Sequence, residues 1–290
     1  MKDFNTFVTN YLEDEELLDE ATSVTFGGES YPTSGWCIIL AGGSGSGKGY
    51  VQKDALLIDA KVFDVDKLKD MYLKAVKHKL INDPNEYNLK NPEDVTRLHH
   101  IIKRKDYDTT IRNTFFKSIE NQKEKPNIIF DITGKSKKDF IYISEFVRQY
   151  GYKISLVWVV TNRELASVQN KSRDRVVRDD IFNHIHNEVK KNVNEFILTD
   201  AGKYIDECWL FFNSTKKPRE EMTDYEKKEL KDNRAFKLRK KEGKFILPID
   251  LQIRLNDVMG PYKKNSRLGC FIFFIVKFNS FSYSFNSRIF

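Results

Sequence analysis

The chain has 290 residues, 40% of them hydrophobic and 31% charged, enough to bury a sizeable core and suited to one α/β domain of moderate size with appendages. A formal charge of +7 and a pI near 9.0 favour polyanionic partners without singling out nucleic acid. Cys37, Cys208 and Cys270 lie far apart without metal-ligand spacing, the N-terminus is acidic (Glu13-Asp14-Glu15-Glu16), unlike a signal peptide, and no apolar stretch reaches bilayer-spanning length; a cytoplasmic protein with reduced thiols and no membrane contact is expected.

In chain order, Phe4, Phe7, Val8, Tyr11, Leu12, Leu17 and Leu18 recur at mostly helical spacing and predict an N-terminal helix over 4–20. A Gly-Gly-Glu-Ser-Tyr-Pro stretch is expected to loop into a first strand, Trp36–Ala41. A glycine-rich run follows directly, and Val51, Ala55 and Ile58 then mark a helix face. Lys61–Phe63 predicts a short second strand ending at Asp64-Val65-Asp66, and Leu68, Met71, Tyr72, Ala75, Val76 and Leu80 form a helical stripe behind it. After the turn-rich segment 82–92, a helical region covers roughly 93–120. The third strand is predicted over 127–131, a helix over about 137–150, and the fourth strand over 154–160, apolar throughout as a central parallel strand is. Helices beginning near Glu164 and spanning about 179–197 precede a fifth strand, Glu207–Phe212. Strands alternating with helices predict a parallel sheet covered on both faces, with ligand beyond the strand C-termini. Residues 216–244 turn sharply charged with mixed sign and read as a solvated helix or mobile arm, with a grip on nucleic acid or substrate as the sharper alternative. The Phe/Ser-rich end reads equally as an edge strand, a docking peptide or a sticky tail.

Gly42-Gly43-Ser44-Gly45-Ser46-Gly47-Lys48-Gly49 reads G-x-x-x-x-G-K at the end of a β-branched strand, the context of a phosphate-binding P-loop. Its glycines let backbone N–H groups turn inward around a polyphosphate, the following helix points its positive end at the same anion, and Lys48 adds a charge for the β- and γ-phosphates. A flexible Gly/Ser linker is the bland alternative, but linkers rarely separate a strand from an amphipathic helix. The position after the lysine usually carries a Ser or Thr hydroxyl that ligates Mg²⁺; here it is Gly49, followed by Tyr50. Asp64 and Asp131, with Asp66, are therefore expected to hold the magnesium shell through water. Asp66 lies eighteen positions after Lys48, where a carboxylate across the cleft from the γ-phosphate accepts a proton from an attacking hydroxyl. An Asp there also serves as a plain helix N-cap, and Asp64 would point the opposite way if the strand continued. Asp131 ends the third strand as a Walker B carboxylate does, with Thr133-Gly134 beyond it available to an acceptor. Arg173, Arg175 and Arg178 cluster where a lid would close over ATP, Arg173 being the first candidate and Arg178 the second, with Arg163 in reach; a solvated helix end would look the same. His99-His100 has no Cys or carboxylate at metal spacing and is not read as a metal site.

The Gly-Ser-Gly-Lys-Gly run resembles the P-loop of adenylate kinases and related nucleoside monophosphate kinases, Tyr50 standing where they have Thr. Over residues 35–212, the order P-loop, strand-Asp-x-Asp, strand-Asp-x-Thr-Gly and arginine lid resembles the polynucleotide kinase and zeta-toxin branch of the P-loop kinases. Gln169-Asn170-Lys171-Ser172-Arg173, followed by Val176-Val177-Arg178-Asp179-Asp180-Ile181, is similar to the polynucleotide kinase lid, with Arg178 where Pro is common. The resemblance implies an α/β P-loop NTPase fold with a five-stranded parallel sheet, ATP and Mg²⁺ as cofactors, Asp66 as the base, and Lys48 with Arg173 as the phosphate-binding pair. Arg97 and His99-His100 lie where such kinases build acceptor pockets. The implied activity is ATP-dependent transfer of the γ-phosphate to a hydroxyl or phosphate of a nucleic-acid or nucleotide-type acceptor. A nucleoside monophosphate kinase, or a nucleotide-binding interaction protein with a degraded P-loop, are the alternatives. Residues 1–34 are read as an N-terminal helix and loop, 35–212 as the kinase domain, 213–263 as a charged extension and 264–290 as a tail. With the strand pattern complete by Phe212, the ATP site is expected to survive truncation after Ser214.

Overall fold

The computed structural model describes residues 23–26, 29–55, 59–173, 175–213, 223–224 and 234–260. The helix expected over 4–20 and the Phe/Ser-rich tail lie outside them. The chain divides into two compact units, Met1–Leu247 and Pro248–Phe290, of which the second contributes one described helix, Ile249–Met259.

The first unit is built on a mixed six-stranded sheet. Its strands, numbered with the rest of the chain, are β3 (Trp36–Ala41), β4 (Lys61–Phe63), β5 (Ile128–Ile132), β6 (Lys153–Val160), β7 (Glu207–Phe212) and β8 (Ala235–Lys237), in the spatial order β4-β5-β3-β6-β7-β8. The first five are parallel, as the alternation of apolar runs and helices predicts. Every residue of β6 after Lys153 is buried, because a central strand covered on both faces has no solvent side. On one face Ile38, Leu40, Ile129, Val157, Val159 and Phe211 close over Val51. On the other, Phe63 stacks on Phe130 at 4.9 Å, the residue opposite it in register, and Phe115 and Phe116 pack against Phe63.

The helices follow the predicted stripes with two adjustments. Val65–Lys77 (α2) buries Leu68, Tyr72 and Ala75. The single helical region expected over 93–120 is two helices, Pro92–Arg104 (α3) and Tyr107–Ser118 (α4), broken where Asp106 takes a left-handed conformation (φ 53). After the glycine-rich loop the chain forms one short turn, Lys48–Tyr50 (α1), that continues as a π-turn over Val51–Ala55. Lys137–Arg148 (α5), Arg163–Ser172 (α6), Asp179–Thr199 (α7) and Ala201–Tyr204 (α8) complete the set. The segment between α2 and α3 is fixed by Asp83, whose carboxylate accepts from the hydroxyls of Tyr72 (2.8 Å) and Tyr87 (2.7 Å).

Two expectations are corrected. The stretch expected to loop into the first strand carries strand Glu29–Pro32 (β2), paired antiparallel with Ser23–Phe26 (β1). In the segment read as a solvated helix or arm, the described residues form β8, antiparallel on the edge of β7, and a hairpin of Arg239–Lys241 (β9) with Lys244–Ile246 (β10). Alternate residues explain it: Phe236, Leu238 and Phe245 are spaced to turn inward while the lysines and arginines between them face water, a strand period hidden beneath the charge.

Leu238, Phe245 and Leu247 are 4%, 4% and 6% exposed, and burying such a side chain is worth about 1.5–3 kcal/mol. Truncation after Ser214 is therefore expected to lower the thermal midpoint sharply or leave an aggregating protein, contrary to the expectation that the ATP site survives it. A truncated protein with an unchanged melting curve would show that the sixth strand is dispensable.

Candidate functional site

The glycine-rich loop leaves β3 at the C-terminal edge of the sheet, between β5 and β6. Gly45 and Gly47 hold φ of 71° and 85°, and a Cβ at Gly45 would lie 2.1 Å from the carbonyl oxygen of Ala166. Only glycine combines that backbone with so close an approach to α6. Four segments fix the loop. Ser44 Oγ donates to Asn170 Oδ1 on α6 (2.9 Å), and the Ser44 carbonyl accepts from His186 Nε2 on α7 (2.8 Å), which makes Nε2 the protonated nitrogen of that ring. The Ser46 carbonyl accepts from Thr161 Oγ1 and from Asn213 Nδ2, each at 2.8 Å. Burial, together with the charges of Arg163 and Lys48, outweighs this hydrogen bond and holds His186 below the usual histidine range.

Lys48, first residue of the helical turn, donates its Nζ to the Gly42 carbonyl (2.7 Å) and lies 3.5 Å from Asp131 Oδ1. Asp131 is opposite Leu40 in register and shares the face of Ile129, so the sheet itself delivers this carboxylate to the lysine. Burial raises the Asp131 pKa, opposed by Lys48 and reinforced by Asp66.

Asp64 and Asp66 occupy different places from those expected. The strand stops at Phe63 and the helix begins at once, so Asp64, not Asp66, is the N-cap: its carboxylate accepts from the Asp66 N–H at 2.8 Å. Burial, followed by the charges of Asp131 and Asp66, pushes the Asp64 carboxyl up to about 6. Asp66, in the first helical turn, keeps its side chain for ion pairs with Lys69 Nζ (2.8 Å) and Arg173 (3.8 Å). Burial would raise Asp66, but Lys69, Arg175 and Arg173 outweigh it and hold the carboxyl below the ordinary range.

Arg173 also donates to Ser44 Oγ at 3.3 Å, so it spans from the loop to Asp66. Arg178 does not join them: it is exposed at the start of α7 and pairs with Asp180 at 2.7 Å. Arg163 turns to Asn183 on α7. Tyr50 packs beside the core and its hydroxyl accepts from Arg234 (3.3 Å). His99 is half-buried and held down to about 4, by burial first and then by Lys69, Lys103 and Lys135, while His100 is exposed. Asn170, His186, Lys69 and Asn213 escape sequence reasoning because each is a lone polar residue in an amphipathic helix or at a strand end. Only Asn170 stood inside a quoted motif.

The turned loop and Lys48 meet at the C-terminal edge of the sheet. Among the described residues no three His, Cys, Asp or Glu side chains form a direct metal cage. The Asp131 charge helps to raise Asp64, so these two carboxylates lie near one another, the arrangement that would be needed to hold a hydrated Mg²⁺.

No protein-family model and no curated protein sequence matches the chain. Among solved structures it is similar to AvrRxo1-ORF1:-ORF2 with ATP, at a TM-score of 0.51 and 12% identity, over 81% of this chain and 66% of that one. It also matches a chain from the PezAT chromosomal toxin–antitoxin system of Streptococcus pneumoniae, at a TM-score of 0.48 and 12% identity, over 83% of this chain and 82% of that one. The likeness is one of fold, and the fold is the α/β architecture of P-loop NTPases, here with an antiparallel strand added at one edge.

The raised Asp64 pKa has a stability consequence. Between its ordinary value of 3.8 and about 6 the folded state holds a proton that the unfolded state releases, so stability falls as pH rises through that window. Asp64→Asn keeps a capping oxygen and removes the charge. It is expected to be more stable than wild type by about 1–3 kcal/mol at about pH 8, with the gap closing near pH 4, in urea unfolding without added metal. Equal stability at both pH values would show that the carboxylates are not in conflict.

Proposed function

We propose that this chain is an ATP-dependent phosphotransferase that moves the γ-phosphate of ATP to a hydroxyl or phosphate of a nucleic-acid or nucleotide-type acceptor. The observation that carries the reading is Arg173, which reaches both Ser44 in the loop and the Asp66 carboxylate, joining a phosphate cradle to a base across one cleft. A structure of the same fold obtained with ATP supports the choice of nucleotide.

In this reading the loop N–H groups and Lys48 hold the β- and γ-phosphates, and Arg173 leaves Asp66 to follow the charge on the phosphoryl group in transfer. Asp66 orients the acceptor hydroxyl and takes its proton as the new O–P bond forms and the bond from the γ-phosphorus to the bridging oxygen breaks, releasing ADP. Its low pKa keeps it ionised at neutral pH, and a loose transition state asks more for orientation than for a strong base. Asp64 and Asp131 are the residues that would hold Mg²⁺ through water; when bound, the ion neutralises charge on the phosphate oxygens. Gly49, lacking the usual hydroxyl, favours this outer arrangement.

γ-Labelled ATP offered with 5′-hydroxyl DNA and RNA, nucleoside monophosphates and UDP-sugars is expected to label one of these classes. A polynucleotide acceptor would bring a steep salt dependence from counterion release, and a small nucleotide much less. Asp66→Asn should bind ATP normally and transfer about 10²–10⁴-fold more slowly. Slow hydrolysis without transfer to any of these acceptors would contradict the reading and favour a nucleotide-binding interaction protein.

A further inference from the structure

Arg175 lies two residues beyond Arg173 yet does a different job. One nitrogen, Nη1, donates to the backbone carbonyl of Asp66 at 2.9 Å and to the Asp70 carboxylate at 2.7 Å. These acceptors stand four residues apart on α2, on one helical face, so a single guanidinium grips the helix one turn at a time. The segment that carries Arg175 is itself anchored. Asn170 Nδ2 donates to the Val177 carbonyl (2.9 Å), Asn170 Oδ1 accepts from the Val177 N–H (3.3 Å), and the Val176 N–H donates to the Leu89 carbonyl (3.4 Å). Asn170 in turn accepts from Ser44 of the glycine-rich loop.

We infer that Arg175 is a positioning residue: it fixes the main chain of Asp66 relative to the loop through the relay Ser44–Asn170–Val177–Arg175–Asp66/Asp70. The inference rests on the phosphotransferase reading above. Arg173, with its weaker 3.8 Å pair, is the arginine free to move to phosphate, and Arg175, held by two short hydrogen bonds, is the one that stays. Such a latch sets the distance between base and phosphate through the Asp66 main chain, and a misplacement of about 1 Å at a reacting group can cost about 10²-fold in rate.

Steady-state transfer to the labelled acceptor tests it. Arg175→Ala should lower kcat about 10–100-fold while KM for ATP stays within about threefold. Arg175→Lys, which restores a cation facing Asp70 without the planar fork, should recover much of kcat. Asp70→Ala should reproduce the loss, and the double variant Arg175→Ala/Asp70→Ala should be no worse than either single one. If Arg175→Ala does not fold, Arg175→Lys and Asp70→Ala decide in the same assay. A kcat within about threefold of wild type, or equal losses in kcat and ATP affinity, overturns the latch while leaving the phosphotransferase reading intact. A wild-type protein that transfers no label overturns both.

Discussion

One ammonium group organises the end of this sheet. Lys48 stands between the Gly42 carbonyl and the Asp131 carboxylate, where the central parallel strands release their chains. Burying carboxylates together is costly unless cations answer them. Asp66 and Asp131 both raise Asp64, Asp66 raises Asp131, and Lys48, Lys69, Arg173 and Arg175 are the cations that answer. The division is uneven. Asp66 takes Lys69 and the arginines and stays ionised, whereas Asp64 keeps only a distant share of Lys48 and is pushed upward.

The loop is pre-shaped from three directions. Its carbonyls are engaged by His186, Thr161 and Asn213, which fixes the direction of those oxygens. Ser44 connects that shape to α6 through Asn170, and Asn170 connects α6 to the arginine segment. A disturbance of the loop therefore has a short path to Asp66. The continuous path runs from Ser44 through Asn170 on α6 and the Val177 main chain to Arg175 and Asp66.

The parallel strands and the glycine-rich loop were legible because each rests on a local signal: an apolar run for strands buried on both faces, and glycine where backbone must turn into αL. Asp131 and Lys48 were legible by the same logic, since register across β3 and β5 follows from the strand ends. The cap offered as the plain alternative for Asp66 falls on Asp64, because a two-residue difference decides whether the strand or the helix owns that residue, and boundaries carry little periodic information. Arg178 was singled out by its place in the lid cluster, and neither place nor charge says which of several neighbouring arginines turns inward. Arg175, named in the cluster but not chosen, and Asn170, quoted without a role, are partners defined only by distant residues. The sixth strand was hidden by lysines and arginines on its solvent side.

The central claim is that the loop and Lys48 form a nucleotide phosphate site. Titration calorimetry of wild type and Lys48→Ala with ATP and Mg²⁺ tests it most directly, with circular dichroism to verify the fold of the variant. The account predicts saturable binding by wild type and binding lost or weakened at least about tenfold, roughly 1.4 kcal/mol, in the variant. Unchanged affinity in a folded Lys48→Ala protein would contradict it.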